Sequence, residues 1–102
     1  DSELEESPLD PSQVVAGEPV VRSLALHGAD DLAIGIWQHS AGVSTDVEAD
    51  EVFIVLAGRA TIEVEGGTVL EVGPGDVGLL PTGAVTRWAI HETLRKVYVV
   101  RP

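Results

Sequence analysis

The side chains of this sequence that could do chemistry are carboxylates, imidazoles and indoles, because the chain contains no cysteine. Thiolate metal sites, cysteine nucleophiles and disulfides are therefore excluded. The three histidines, His27, His39 and His91, lie too far apart in sequence to match a local metal-binding motif. The chemistry that remains is proton transfer or ligand binding by Glu51 and by whatever the fold brings next to it.

Glu51 is the first candidate, because it is a carboxylate at the start of the apolar run Val52–Leu56. If it faces an apolar interior, desolvation raises its pKa, and Glu51 becomes a general acid or base. Glu51 is therefore the predicted catalytic residue. The structural alternative is a salt bridge between Glu51 and Arg59 or Arg87.

Aromatic residues make up only 4% of the chain, and all four of them lie in predicted strands. These residues are Trp37, Phe53, Trp88 and Tyr98. Two roles are open for them, since tryptophans fill the core of a small domain but also line small ligand cavities in barrels.

His39 shares a predicted strand face with Trp37, which makes it either a pocket residue or a hydrogen-bonded residue at the rim. His27 and His91 flank turn-like segments, so both are expected at the surface. With Thr86, His39 completes the predicted ligand-binding set, which is Trp37, His39, Glu51, Phe53, Thr86, Trp88 and Tyr98.

Short apolar runs separated by glycine-rich breaks predict the strands that position these residues. The runs are Val52–Leu56, Thr61–Val64 and Val77–Leu80, and the breaks, interpreted as turns, are Ala57-Gly58, Gly66-Gly67 and Gly73-Pro74-Gly75. Alternation along a strand places Glu51 and Phe53 on one face, and Thr86 and Trp88 on one face of a later strand.

The flanking sequence predicts further strands. Pro19–Leu26 alternates loosely, Leu32–His39 is the next predicted strand, and a glycine inside it indicates a close backbone approach or a bulge. The polar segment Ser40–Asp50 is predicted to be a loop, and a turn at residues 91–93 precedes a last strand, Leu94–Val100. No segment has helical periodicity, so eight or nine short strands predict an all-β sandwich or jelly roll.

The spacing of Glu51 and Gly58, and of Gly75-Asp76 and Pro81-Thr82-Gly83, resembles the two motifs of the cupin superfamily. A tryptophan after the second motif, here Trp88, resembles the pattern of the small cupins that include ureidoglycine aminohydrolase and the ethanolamine-utilisation cupins. The resemblance covers roughly residues 35–100. It implies a cupin double-stranded β-helix, or jelly-roll barrel, with very little helix and with Glu51 and Thr86 facing the interior.

The same resemblance implies a metal site that the residues do not complete. The positions of the family's first-motif histidines hold Ser44 and Asp46, or Thr45 and Val47 with a shorter spacing, and that of the second-motif histidine holds Thr86, so Glu51 is the only family ligand that remains. Neither a metal nor a cofactor is therefore predicted. Two routes to a metal stay open: weak Ca²⁺ or Mg²⁺ binding by Asp46, Glu51 and Thr86, or a contribution from His39 at the same mouth.

The composition limits the partners. Six basic and 17 acidic residues give a net charge of 6 − 17 = −11, which disfavours nucleic acid and anionic membrane surfaces. No apolar run reaches the roughly 18 residues of a membrane span. With no cysteine and no export signal, a cytoplasmic location is expected.

The predicted organisation is an acidic N-terminal arm, residues 1–17, followed by a single cupin domain, residues 18–102. The arm is expected either to be solvated and mobile or to lie as an extended edge on a partner subunit through Val14-Val15 and Val20-Val21. Because an apolar edge would otherwise face water, a homodimer is expected.

Three functions fit the sequence. The first is a cupin that binds a small polar metabolite without a metal. The second is a divergent enzyme, similar to ureidoglycine aminohydrolase or a sugar isomerase, in which Glu51 transfers protons, with His39 or Tyr98, and Arg87 holds an anionic group. The third is a dimerisation scaffold whose pocket is vestigial.

Overall fold

The computed structural model describes residues 4–101 and folds them into nine strands and one 3-10 turn. The strands are β1 (Glu5–Glu6), β2 (Val14–Ala16), β3 (Val21–Ala29), β4 (Leu32–His39), β5 (Gly42–Val47), β6 (Asp50–Val64), β7 (Thr68–Val72), β8 (Val77–Leu80) and β9 (Val85–Arg101). The 3-10 turn is Pro11–Gln13. Residues 1–3 of the predicted arm and residue 102 of the predicted domain lie outside the described residues. No helix among the described residues is long and apolar enough to cross a membrane.

Two long strands, β6 and β9, belong to both sheets of the fold. The second half of β9 pairs with β4 and with the first half of β6, while its first half pairs with β5 and with the second half of β6. One sheet is therefore ordered β1-β3-β4-β9-β6-β8, and the other β2-β5-β9-β6-β7. All pairs are antiparallel, and the arrangement confirms the predicted all-β jelly-roll barrel.

The bend that carries β6 from one sheet to the other lies at Gly58. The register between β6 and β9 shifts three times between Val55 and Ala60. Gly58 has a φ of +90°, and a Cβ atom there would overlap the Thr93 carbonyl. The prediction of turns at Ala57-Gly58 and at residues 91–93 is therefore wrong, because glycine here allows a β-bulge inside a continuous strand.

Side chains that point inward from β6 and β9 fill much of the space between the two sheets. Phe53, Val55, Ile62 and Leu94 are almost fully buried, and Trp88 packs with them. Val52 and Ile54, on the opposite side of β6, are exposed. The alternation predicted for β6 and β9 is confirmed, since one face of each strand supplies the core.

Two segments predicted to lack structure form strands. Within Ser40–Asp50, residues 42–47 pair with β9 as β5, so the loop prediction is wrong there. Polar residues fit because only every second side chain of β5 faces the interior.

The N-terminal segment pairs with its own chain through β1 on β3 and β2 on β5. The prediction of a mobile arm is therefore wrong for these two strands. Backbone pairing and the burial of Leu4 order the segment despite its acidic composition. The domain boundary at residue 17 stays a prediction.

Candidate functional site

A cavity of about 220 Å³ lies inside the barrel, beneath the N-terminal segment. Leu9 and Gln13 form one wall, and the walls opposite come from β4, β5, β6 and β9. The Gln13 Nε2 donates to the Thr45 carbonyl at 3.0 Å, which ties the segment to β5. The cavity is therefore closed on one side by a piece of chain that precedes the barrel in sequence.

The local sequence explains why the covering segment turns where it does. Asp10 is an N-cap whose carboxylate accepts from the Ser12 amide at 2.9 Å, and the Gln13 Oε1 accepts from the Asp10 amide at 3.0 Å. Pro11 between them has its φ already fixed for a helical turn. Because the capping box uses only the Oε1 of Gln13, the side-chain Nε2 is free to reach β5.

Glu51 and Lys96 form an ion pair inside the barrel. The Lys96 Nζ lies 2.5 Å from the Glu51 Oε2, and the two side chains are only 6% and 8% exposed. Both residues line the cavity. Glu51 is therefore paired, as the structural alternative predicted, but neither Arg59 nor Arg87 is its partner.

Three aromatic rings surround the Lys96 ammonium. Its Nζ lies 4.6 Å from the ring centroid of Trp37, 4.8 Å from that of Phe53 and 4.5 Å from that of Trp88. The Trp88 ring lies 5.6 Å from each of the other two, with tilted planes. The faces of aromatic rings attract cations, so this cage stabilises a buried positive charge.

Glu48 is a second buried carboxylate at the cavity, held apart from the ion pair. Its Oε2 accepts from the Thr86 hydroxyl at 2.6 Å and from the Trp88 Nε1 at 3.2 Å. Burial raises the pKa of Glu48, and the charges of Asp46 and Glu51 act in the same direction, although the two hydrogen bonds oppose them. Glu48 therefore has the protonation behaviour that was predicted for Glu51.

His39 lies behind the cavity wall and has both ring nitrogens occupied. Its Nδ1 lies 2.6 Å from the Ser40 carbonyl, which can only accept, so Nδ1 carries the proton. Nε2 then accepts from the Ser44 hydroxyl at 2.9 Å. Burial lowers the pKa of His39, with the hydrogen bond to Ser40 opposing this effect and the Lys96 charge adding to it. Through its hydrogen bond to Ser44, the ring supports β5.

Gly35 explains how Tyr98 reaches the cavity wall. A Cβ atom at Gly35 would overlap the Tyr98 ring and its hydroxyl, and also the backbone carbonyl of Leu24 on β3. The close approach predicted from a glycine within this strand is therefore confirmed.

Of the seven residues predicted to bind ligand, four line the cavity: Trp37, Glu51, Trp88 and Tyr98. The other three, His39, Phe53 and Thr86, lie behind them and hold wall residues in place. Ligand contact by any of the seven stays a prediction. His27 and His91 are exposed, as expected.

Sequence reasoning missed Lys96 and Glu48. Lys96 could have been found, because it lies two residues before Tyr98 and alternation places both side chains on one face. Glu48 gave no such signal, since it lies between β5 and β6. Its position depends on backbone hydrogen bonds with Gly83 and Ala84, at 2.7 and 2.8 Å, which are distant in sequence.

The residues present do not fit the metal ion that cupins commonly hold. The described residues contain no group of three or more His, Cys, Asp or Glu side chains that could hold a metal. The hydroxyls at the family's histidine positions are engaged, Ser44 with His39 and Thr86 with Glu48. Glu51 is bound to an ammonium, and His39 has no free nitrogen. The two routes to a metal that the sequence left open therefore lack a donor set here.

Comparison with known proteins places the chain among small cupins. Residues 27–98 match the family model described as the EutQ-like cupin domain. No functionally curated protein shows significant sequence similarity to the chain.

Solved structures show the same fold. A protein of unknown function in the DUF861 family, from Pseudomonas syringae pv. tomato, is 30% identical over 95% of this chain and 43% of its own, with a TM-score of 0.82. A protein of unknown function from Rhizobium leguminosarum is 26% identical over 80% of this chain and 81% of its own, with a TM-score of 0.72. The EutQ protein of Clostridium difficile is 20% identical over 82% of this chain and 64% of its own, with a TM-score of 0.73. The chain therefore spans less than two thirds of the Pseudomonas and Clostridium proteins.

Proposed function

The chain belongs to the EutQ-like cupin family, whose model matches residues 27–98, and we propose that its barrel binds a small polar metabolite without a metal ion. The single observation that carries this proposal is the cavity of about 220 Å³ beneath the N-terminal segment. It is smaller than the roughly 300–1,000 Å³ pockets that hold drug-sized ligands, so its ligand is small.

The chemistry of the cavity walls supports a polar ligand. Trp37 and Trp88 supply flat apolar surface, while Glu48, Lys96 and Tyr98 supply hydrogen-bonding groups that converge on the same space. A few placed polar groups on an aromatic wall are what ligand pockets use to fix orientation. The charged groups already have partners within the barrel, so they are positioned before a ligand enters.

Tryptophan fluorescence gives a direct test, because both tryptophans of the chain line the cavity. Purified protein is titrated with a panel of small hydroxy acids, amides, sugars and amines, and emission is followed together with the melting temperature. We expect a saturable change in emission for at least one chemical class, accompanied by a higher melting temperature.

The variant Trp37→Leu tests whether the cavity is the site. It removes ring surface from the wall and should weaken the affinity at least tenfold. Glu63→Gln, on the exposed side of β6, is the control and should bind as the wild type does. Saturable binding that is equal in both variants would place the ligand elsewhere.

An enzymatic function is the second candidate, and one observation favours it. Burial raises the pKa of Glu48 beside the cavity, and a raised carboxyl pKa is what a general acid requires. The predicted use of Glu51 is less favourable, since its carboxylate is bound to Lys96. Arg87 is exposed on the outer side of β9, so it does not support the role of holding an anionic group in the cavity.

The scaffold alternative predicts an interior closed by side chains. The open space beside Glu48 and Lys96 favours ligand binding over that alternative. Failure of the whole panel to change the emission or the melting temperature would leave the scaffold as the better account.

A further inference from the structure

We propose that Lys96 is the binding residue for the ligand, and that its ammonium provides the central positive charge that a metal ion provides in metal-binding cupins. The ligand class that follows is a small molecule with a carbonyl or carboxylate oxygen. This inference rests on the proposed function, because it concerns the same cavity.

The Lys96 ammonium lies where a cupin metal ion would need its ligands. Lys96 reaches the interior from β9 and contacts Glu51, the one family ligand that the sequence retains. A cation attached to the chain thus lies next to the carboxylate that a metal would need. The barrel keeps a buried positive charge without the histidines that a metal requires.

Lys96 has N–H donors that its hydrogen bond to Glu51 does not use. An ammonium carries three N–H donors, and the hydrogen bond to Glu51 uses one of them. Trp37, Phe53 and Trp88 attract the charge through their ring faces but accept no conventional hydrogen bond. Since Lys96 also lines the cavity, an oxygen acceptor placed there gains a charge-assisted hydrogen bond.

The ammonium inside the aromatic cage disfavours cationic ligands. Aromatic cages recognise ammonium groups, but this cage already holds the ammonium of Lys96. A second cation would lie close to the first within a poorly solvated interior, where like charges repel strongly.

The acidic side chains at the cavity limit the negative charge that a ligand can carry. Asp46 and Glu48 lie on the same wall, and Glu51 is beside Lys96, so a multiply charged anion would meet three acidic side chains. A monocarboxylate or a neutral carbonyl compound fits better. Hydroxyl or amide N–H groups on the same molecule can donate to Glu48 and Asp46.

The test measures Trp emission during titration with two matched pairs of probes, lactate with lactamide and glycolate with glycolamide, and with tetramethylammonium as the cation. The wild type should bind at least one member of these pairs saturably and should not bind tetramethylammonium. The better member of each pair tells whether the oxygen belongs to a carboxylate or to a neutral carbonyl.

The variant compared is Lys96→Met with Glu51→Gln, which removes both charges of the pair and leaves no unpaired buried charge. Its affinity for the probe should fall at least tenfold, while Arg87→Met, which removes an exposed charge from the same strand, should bind as the wild type does.

The outcomes separate the two proposals. Equal binding by the double variant, or tighter binding of tetramethylammonium than of any carbonyl probe, overturns the role of Lys96 and leaves the binding function standing. A wild type that binds neither these probes nor any member of the wider metabolite panel overturns both. Folding of the double variant is checked by its circular dichroism and by a cooperative thermal transition. If it does not fold, Lys96→Gln with Glu51→Gln, which also removes both charges but keeps polar side chains, replaces it, and unchanged affinity overturns the role of Lys96.

Discussion

Glu48 and Glu51 lie in the same barrel, and their surroundings give the two carboxylates different roles. Glu51 contacts an ammonium, so its charge is compensated where it lies. Glu48 has only neutral donors, Thr86 and Trp88, and burial raises its pKa. The charge of Glu51 is therefore balanced by a cation, whereas burial disfavours the charged form of Glu48.

Replacing Glu48 with Gln should stabilise the protein at neutral pH. Because the folded state raises the pKa of Glu48, the protonated form favours folding at acidic pH, and that contribution is lost as the pH rises through the folded pKa. Glu48→Gln, which cannot ionise, should melt higher than the wild type at pH 7 by a few degrees. The difference should shrink towards pH 4.

The measurement is a series of thermal melts between pH 4 and pH 8. Glu63→Gln, an exposed carboxylate on β6, is the control and should leave the pH profile unchanged. A Glu48→Gln variant that melts lower than the wild type at every pH would mean that Glu48 is ionised and stabilising.

The Lys96–Glu51 pair predicts strong coupling between two substitutions. Lys96→Met alone leaves a buried carboxylate unpaired, which costs about 3–5 kcal/mol, and Glu51→Gln alone leaves a buried ammonium unpaired. The double variant should recover most of the loss, because methionine packs well among three aromatic rings. Urea unfolding of the four proteins measures the coupling, and additive losses would contradict a direct pair.

Single residues in the site were predictable to the extent that strand alternation reaches them. Glu51, Trp88 and Tyr98 follow from it, as does Lys96, whose interior position the alternation around Tyr98 implies. Glu48 does not follow from it, because a residue between strands takes its direction from partners distant in sequence, here Gly83 and Ala84.

At the scale of elements, the fold depends on the shared bend of β6 and β9. Both strands continue through it, and the register shifts beside Gly58 give the extra length that a corner needs. The apolar runs on either side of Gly58 predict the strands correctly. A glycine that permits a bulge and a glycine that ends a strand look the same in one sequence, so the corner itself was not predictable.

Gly58→Ala should destabilise the protein more than Gly75→Ala does. Both glycines have a similar positive φ, +90° and +89°, so an alanine is strained at either position. Only at Gly58 does a Cβ atom overlap another strand, at the Thr93 carbonyl, while at Gly75 it meets open space. We expect about 1 kcal/mol for Gly75→Ala and at least twice that for Gly58→Ala, measured by urea unfolding. Equal losses would mean that the bend at Gly58 relaxes freely.

The N-terminal strands show how composition can mislead. The acidic, proline-containing segment has the composition of a mobile tail, yet β1 and β2 pair with β3 and β5. Backbone N–H and C=O groups are present whatever the side chain, so an acidic segment can still add an edge strand where a neighbouring strand offers unpaired groups. Composition predicts burial better than it predicts pairing.

At the scale of the whole molecule, one outer sheet face is apolar across five strands. Leu79, Val52, Val99 and Ile34 lie in register across β8, β6, β9 and β4, and the next row contains Val77, Ile54, Val97, Ile36 and, from β3, Leu24. Leu79 is 70% exposed and Val77 is 62% exposed. Monomeric proteins rarely expose contiguous apolar patches of this kind.

A homodimer formed through this face is the expected assembly. A second copy is favoured because the two rows are free of charged side chains, so pairing them buries no charge and brings no like charges into direct contact, despite the net charge of −11 on each chain. A groove of about 370 Å³ beside Leu79 and Val52 gives the face relief that a partner's side chains could fill. The valine pairs at the N-terminus no longer carry this expectation, since Val14 pairs within its own chain.

Light scattering at micromolar concentration should give about twice the chain mass of 10.7 kDa. Ile54→Lys, in the centre of the apolar face, should give a folded monomer, while Val69→Lys, an exposed position on β7, should leave the dimer intact. A wild type that is monomeric at this concentration would contradict the expected assembly.

The claim that the barrel uses Lys96 in place of a metal is tested most directly by native mass spectrometry. Untagged protein, purified without chelator, is incubated with Ni²⁺, Mn²⁺, Fe²⁺ and Zn²⁺, desalted and weighed. The expected mass, for one chain or for the homodimer, includes no stoichiometric metal, with or without a small organic molecule. One metal ion per chain, retained by the wild type and lost in Glu51→Gln, would contradict it.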